Sequence, residues 1–232
     1  MENDEQKTRL RDLLNDEETL KNLDAFVRMN LLYEAAMKVM NAKLEILQRE
    51  YSMAHGYNSI HSVESRLKTP KSIAEKLRRK NLPLSIEAVR RNLKDVAGMR
   101  IICNYKNDVY TIADVLKRHL DLSVVEEKDY IANPKENGYR SYHLVLTVPV
   151  YFSNATETVP IEIQIRTIAM DYWASLEHAL RYKTDLPDAK LAEHSQTLLD
   201  CARSLQNIET QMQNIHRDIN GAPQVEETPK AD

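Results

Sequence analysis

The segment from Lys128 to His143 gathers more chemically useful side chains than any other part of this chain. It reads Lys-Asp-Tyr-Ile-Ala-Asn-Pro-Lys-Glu-Asn-Gly-Tyr-Arg-Ser-Tyr-His and holds Gly138, one of only four glycines in 232 residues. It is expected to be a polar loop that enters a strand with Tyr139, Ser141 and His143 on one face, because strand side chains alternate. An aromatic plate, cations and hydrogen-bonding groups at one point suit a nucleotide, which offers a flat base and charged phosphates.

A second candidate is the run Ile161-Glu162-Ile163-Gln164-Ile165-Arg166. Its isoleucines alternate with a carboxylate, an amide and a guanidinium. One face is therefore core, and the other presents Glu162, Gln164 and Arg166 in a row. A solvated strand face would look the same. Asp95, three residues before Gly98 and five before Arg100, leads into an apolar run. If its strand lies beside that of Glu162, the two carboxylates could hold magnesium, a hard cation that takes a few carboxylates plus phosphate oxygens. Taken alone, Asp95 reads more readily as a turn or cap residue. Arg66 and Lys68 precede a helix bearing Lys76, Arg78, Arg79 and Lys80, a basic concentration able to neutralise a polyphosphate or simply to face water. Gly56, Gly98, Gly138 and Gly221 are too scattered for GxGxxG or a Walker-A loop. Any phosphate must be met by side-chain cations and a metal.

The elements that position these residues are legible from periodicity. A long helix is expected over 19–54, with Leu20, Leu23, Val27, Leu31, Leu32, Ala35, Met37, Leu44 and Leu47 at helical spacing. Gly56 and Asn58 end it. A strand over 63–67, a basic helix over 71–80 opened by Pro70 and a helix over 85–92 capped by Ser85 follow. Further strands are expected at 96–104, 123–127, 142–152 and 158–167, the last two forming a hairpin, with helices at 108–120, 168–183 and 188–219. The fold class is α/β (α+β), with a mixed sheet of about five strands flanked by helices. The division is a helical region over 1–58, a central domain over 59–185, a helix over 186–220 and a polar, disordered tail over 221–232. The apolar faces of the two long helices point either to an intramolecular helical layer or to oligomerisation.

Composition narrows the function classes. A net charge of −3 argues against a general nucleic-acid binder. Cys103 and Cys201 match no zinc spacing and no disulfide framework, which fits a reducing cytosol. The acidic N-terminus is not a signal peptide, and no apolar run reaches the roughly 20 residues of a membrane span. His55 and His61 raise a metal question without diagnostic spacing. No histidine is followed by aspartate.

In order along the chain, Arg66-x-Lys68 with Ser72-Ile73, Asp95-x-x-Gly98-x-Arg100, Lys128-Asp129-Tyr130 through Asn137-Gly138-Tyr139-Arg140-Ser141-x-His143, and Glu162-Ile163-Gln164-Ile165-Arg166-Thr167 resemble the synthetase domain of the RelA/SpoT family. With the continuation Trp173-Ala174-Ser175-Leu176-Glu177-His178 and the short length, the chain looks like a stand-alone small alarmone synthetase, most similar to the RelP type and then the RelQ type. The resemblance implies a nucleotidyltransferase-like synthetase domain. It also implies a GTP pyrophosphokinase that moves the β,γ-pyrophosphate of ATP to the ribose 3′-hydroxyl of GDP or GTP, giving ppGpp or pppGpp and AMP.

By the same resemblance, Asp95 matches a magnesium aspartate, and Glu162 a metal ligand or the base that activates the hydroxyl. Arg66 and Arg100 match cations at the ATP adenine. Lys68, Lys76 and Arg79 match the ATP phosphate side. Tyr139 matches the tyrosine that stacks on guanine, and Lys135, Asn137, His143 and Gln164 the acceptor side. Arg166 matches a residue that either binds phosphate or holds its strand. A cytoplasmic homotetramer joined through its terminal helices is implied, with Mg2+ as cofactor and without need of membrane or nucleic acid. The family's hydrolase and regulatory domains are not expected. Two other readings keep these residues: a tRNA 3′-end pyrophosphokinase, and a non-catalytic nucleotide- or RNA-binding regulator.

Overall fold

A computed structural model describes residues 16–182 and 188–220. The expected tail over 221–232 and the expected domain boundary near 185 lie outside the described residues. Helix α1 (Glu17–His55) starts where the Asp16 carboxylate accepts from Thr19 N at 3.1 Å and stops at Gly56, whose φ of 71° is left-handed. From Met29 onward one face is buried, seating Tyr33, Ala36, Met40 and Leu44 on the sheet at three- and four-residue intervals. Each such fully buried large side chain contributes roughly 1.5–3 kcal/mol. Leu20, Leu23, Val27 and Leu31 form a second apolar stripe on the opposite face of the helix, and this one remains exposed.

Strand β1 (Ile60–Leu67) begins three residues earlier than the periodicity indicates. Helix α2 (Pro70–Arg79) has proline in its first turn and Thr69 as cap, and α3 (Ile86–Asn92) is capped by Ser85. Strand β2 (Ala97–Cys103), helix α4 (Lys106–Arg118), strand β3 (Ser123–Asp129), the hairpin β4 (Tyr142–Tyr151) and β5 (Thr156–Thr167), and helices α5 (Ile168–Tyr182) and α6 (Asp188–Asn220) follow.

The sheet order is β1-β2-β5-β4-β3, with only β2 and β5 parallel. This is the expected mixed five-stranded sheet. The alternating isoleucines of β5 do what their period requires. Ile161, Ile163 and Ile165 are fully buried in one core with Met99 and Ile101 of β2, Leu144 and Leu146 of β4, and apolar residues of α1 and α4. Glu162 and Gln164 are thereby turned away from that core.

Candidate active site

The parallel register decides the site. Gly98 of β2 stands opposite Glu162 of β5, and Arg100 opposite Gln164. On the other side of β2, Arg66 stands opposite Gly98 and Glu64 opposite Arg100. A cleft of about 330 Å3 opens here, lined by Glu64, Arg66, Lys68, Asp95, Gly98, Met99, Arg100, Glu162 and Gln164. A Cβ on Gly98 would meet nothing closer than Arg66 O at 3.8 Å. Crowding by neighbouring backbone therefore does not by itself require glycine here. Its bare Cα forms part of the cleft lining.

Asp95 is held between two cations. Lys68 Nζ and Lys76 Nζ both lie 2.5 Å from Oδ2. Burial pushes the Asp95 carboxyl up, but the hydrogen bonds and charge of Lys68 and Lys76 outweigh it, and its pKa lies below the ordinary carboxylate value. Its other oxygen, Oδ1, is buried without a hydrogen-bond partner. A buried acceptor left without a donor is unfavourable, and a cation at that oxygen would satisfy it. With Glu162 on the neighbouring strand, the donor set fits magnesium, which takes a few carboxylates and completes its shell with phosphate and water. No group of three or more His, Cys, Asp and Glu able to hold a metal occurs among the described residues, His55 and His61 included.

Arg100 reaches Glu64 Oε2 at 3.4 Å and Asp171 Oδ1 at 3.3 Å through Nη1, and its buried Nε has no partner. Arg66 lines the same cleft and is exposed. Arg79, at the end of α2, is exposed and does not line the cleft.

Beyond Glu162 lies an aromatic cluster. His143 Nδ1 is 3.6 Å from Glu162 Oε1, and this contact holds the glutamate below the usual carboxylate range against the opposing effect of burial. The Tyr139 hydroxyl is 2.8 Å from His143 Nε2. Lys135 Nζ sits over two rings, 4.7 Å from the centre of Tyr130 and 4.8 Å from that of Tyr139. Asn137 braces the loop. Its Nδ2 donates to Glu177 Oε1 at 3.1 Å, and its Oδ1 accepts from Tyr139 N at 3.2 Å.

Strand β4 begins at Tyr142, so Tyr139 and Ser141 precede it rather than sharing its face with His143. Arg166 instead joins Tyr139 and Ser141 directly, and reaches His143 through the Tyr139 hydroxyl. Its Nη2 donates to Tyr139 Oη at 2.6 Å and to Gln164 Oε1 at 2.7 Å, its Nε to Ser141 Oγ at 3.3 Å, and its Nη1 to Asp171 Oδ1 at 3.0 Å. Arg166 is buried, at 4% exposure. Of the two roles left open for it, this geometry is that of a residue holding its strand.

Sequence reasoning missed Tyr130, Glu64 and Asp171. Tyr130 lies within the loop already singled out, nine residues before Tyr139. Asp171, in the first turn of α5, has no local signal. It matters because folding sets it between Arg100 and Arg166.

A mixed sheet that sets two carboxylates among arginines and lysines, beside a tyrosine cluster, defines a nucleotide-handling transferase domain. The chain belongs to the RelA/SpoT family: the model described as "Region found in RelA / SpoT proteins" matches residues 65–186. It is 46% identical over 159 residues to GTP pyrophosphokinase YwaC of Bacillus subtilis (strain 168), covering 68% of this chain and 76% of that protein. The solved small alarmone synthetase 2 from Bacillus subtilis shares the fold with a TM-score of 0.72 and 40% identity, over 81% of this chain and 97% of that one. Small alarmone synthetase 1 from the same organism, solved bound to its product pppGpp, gives a TM-score of 0.73 and 33% identity, over 84% of this chain and 97% of that one. The resemblance carried by the four motifs is thus borne out, as is the fold class.

Proposed function

We propose that this protein is a GTP pyrophosphokinase that transfers the β,γ-pyrophosphate of ATP to the ribose 3′-hydroxyl of GDP or GTP, forming ppGpp or pppGpp and releasing AMP. The observation that carries the reading is the pairing of Gly98 with Glu162 across parallel strands, which sets Asp95 and Glu162 in one cleft with Arg66, Lys68 and Arg100. The activity named for a relative at 46% identity supports it.

ATP occupies the cleft side, its base against Arg66 and Arg100 and its phosphates toward Lys68 and Lys76. Asp95 and Glu162 would hold Mg2+, which when bound would supply charge neutralisation for the polyphosphate. The two lysines that clasp Asp95 are then available to the polyphosphate. The acceptor guanine stacks on Tyr139, with Lys135, Asn137, His143 and Gln164 around it. The 3′-oxygen attacks the β-phosphorus of ATP, the bond from that phosphorus to the α,β-bridging oxygen breaks, AMP leaves with that oxygen, and the hydroxyl proton is lost to solvent. Glu162, held below the ordinary carboxylate range by His143, suits a metal ligand and orienting acceptor better than a strong base. Catalysis then rests on positioning and charge neutralisation.

No helix among the described residues is long and apolar enough to cross a membrane. A cytoplasmic enzyme assembled as a homotetramer through α1 and α6 is the form we propose, supported by the uncovered apolar stripes of both helices. The test is chromatography of purified protein with Mg2+, ATP and GDP or GTP. AMP and a tetra- or pentaphosphate guanosine should appear together and vanish on chelation. Absence of both with either acceptor would refute the assignment.

A further inference from the structure

Helix α6 lies beyond the residues matched by the family, yet it touches the proposed acceptor site from behind. Glu209, 8% exposed, is buried, unlike Asp200 and Asp218 of the same helix. One oxygen accepts from Arg140 Nη1 at 2.8 Å, in an ion pair whose two side chains are each 6% exposed. The other accepts from the hydroxyl of Thr167. Arg140 directly follows Tyr139, and Thr167 directly follows Arg166. Tyr139 and Arg166 are themselves joined by a 2.6 Å hydrogen bond. One carboxylate therefore closes a ring that runs from α6 to Arg140, Tyr139, Arg166 and Thr167 and back.

Two further contacts seat the helix at the same point. A Cβ on Gly138 would come within 2.8 Å of Ala202 Cβ and 3.3 Å of Leu199 Cδ1, so α6 lies against the backbone just before Tyr139. Trp173 Nε1 donates to Leu198 O at 2.8 Å, and Tyr139 packs against the small cluster of Trp173, Ala174 and Ala202.

We propose that Glu209 is a positioning residue for the acceptor nucleotide, fixing the Tyr139 plate relative to the β5 strand end by binding the residues next to both. This rests on the reading above that Tyr139 faces the acceptor. Two rigid attachments on one buried carboxylate set a spacing that a surface contact would not hold. Misplacement of a stacking group by about an ångström is enough to weaken binding and turnover many-fold.

The test is steady-state kinetics on Glu209→Gln, which keeps an acceptor for Thr167 and removes the charge opposite Arg140. The KM for GDP should rise roughly tenfold while the KM for ATP stays within about twofold. A purely structural role would lower the melting temperature and scale kcat with the folded fraction, leaving both KM values alone. A double variant, Arg140→Met with Glu209→Leu, separates the two effects. Replacing a buried ion pair by apolar side chains is often neutral or stabilising, which offsets the acceptor that Thr167 loses, so this protein should stay folded at the assay temperature and still show the raised KM for GDP.

A wild-type KM for GDP in the folded double variant overturns the proposal. So does an equal rise in both KM values, or a rise that accompanies a change of mass in light scattering. The wild-type protein in the same assay reports separately on the overall activity. Calorimetric titration with GDP reports on Glu209 even if no product forms.

Discussion

Arg166 Nη2 donates to the Tyr139 hydroxyl at 2.6 Å, from a guanidinium that is almost wholly buried. The motif marks both residues as candidates for contact with ligand. The hydrogen bond assigns them different work: Tyr139 offers its ring, and Arg166 holds that ring in place. Arg166→Met should then destabilise the fold by roughly 3–5 kcal/mol, the range for removing one partner of a buried charge pair, and weaken acceptor binding with it. Urea unfolding and GDP titration check this. A stability equal to wild type would return Arg166 to the ligand side.

Glu162→Gln keeps the shape of the β5 face and removes its charge. Turnover should fall at least about a hundredfold, as for loss of a charged group at a phosphoryl-transfer centre. The melting temperature should hold, because Glu162 is turned away from the core. Product chromatography beside a thermal melt reads both. Activity within a few-fold of wild type would remove Glu162 from the centre.

Tyr139→Ala should cost acceptor binding about 1–3 kcal/mol, the range for aromatic stacking on a base, with the ATP side unaffected. Tyr139→Phe keeps the ring but loses the hydrogen bonds to Arg166 and His143, and should fall between the two. Titrations with GDP and with a non-hydrolysable ATP analogue separate these outcomes.

Asp108 gives a pH signature. Burial pushes its carboxyl up to about 6, against hydrogen bonds from Tyr57 and the Tyr105 backbone. An acid whose folded pKa is raised binds more protons in the folded state, so the protein gains stability as pH falls from above 6 toward the unfolded value near 4. Asp95 and Glu162 act in the opposite sense. Their folded values are lowered, so their contribution is complete above the unfolded value and is lost only as pH falls through the lower folded one. Between pH 5 and 8 histidines titrate as well, His216 with a value lowered by burial among them, so the comparison is made against Asp108→Asn, which carries the same histidines. Wild type should lose stability relative to Asp108→Asn as pH rises through 6, measured as urea midpoints at pH 5 and 8. Parallel profiles would contradict the assignment.

Ile208, Met212, Ile215 and Ile219 recur at three- and four-residue spacing on α6 and are exposed. Charging this stripe with Ile208→Lys and Ile215→Lys should reduce the mass seen by light scattering while leaving the Glu209 face intact. An unchanged mass would place any subunit contact elsewhere.

The local period of the chain carried most of the fold. Strict alternation in β5 announced both its core face and the Glu162–Gln164 face, because a strand can turn only every second side chain inward. The opening of α2 by Pro70, the cap at Ser85, the break at Gly56 and the five strands follow from equally local rules. That α1 is an apolar-rich helix was also legible, but not that the sheet would cover the face of Tyr33, Met40 and Leu44 and leave the face of Leu20, Leu23, Val27 and Leu31 open.

What tertiary structure alone decided is pairing over long separations. Glu162 stands opposite Gly98 only because β5 inserts beside β2, and sixty-three residues separate those two positions without a local trace of it. Asp171 becomes a bridge, and Glu209 the back of the Tyr139 loop, only when α5 and α6 dock. Such residues carry no local signature, since their partners are chosen by packing and not by spacing along the chain. The types that could do chemistry were written in the sequence, while the distances that make them a site came from the register of one parallel strand pair and the seating of one C-terminal helix.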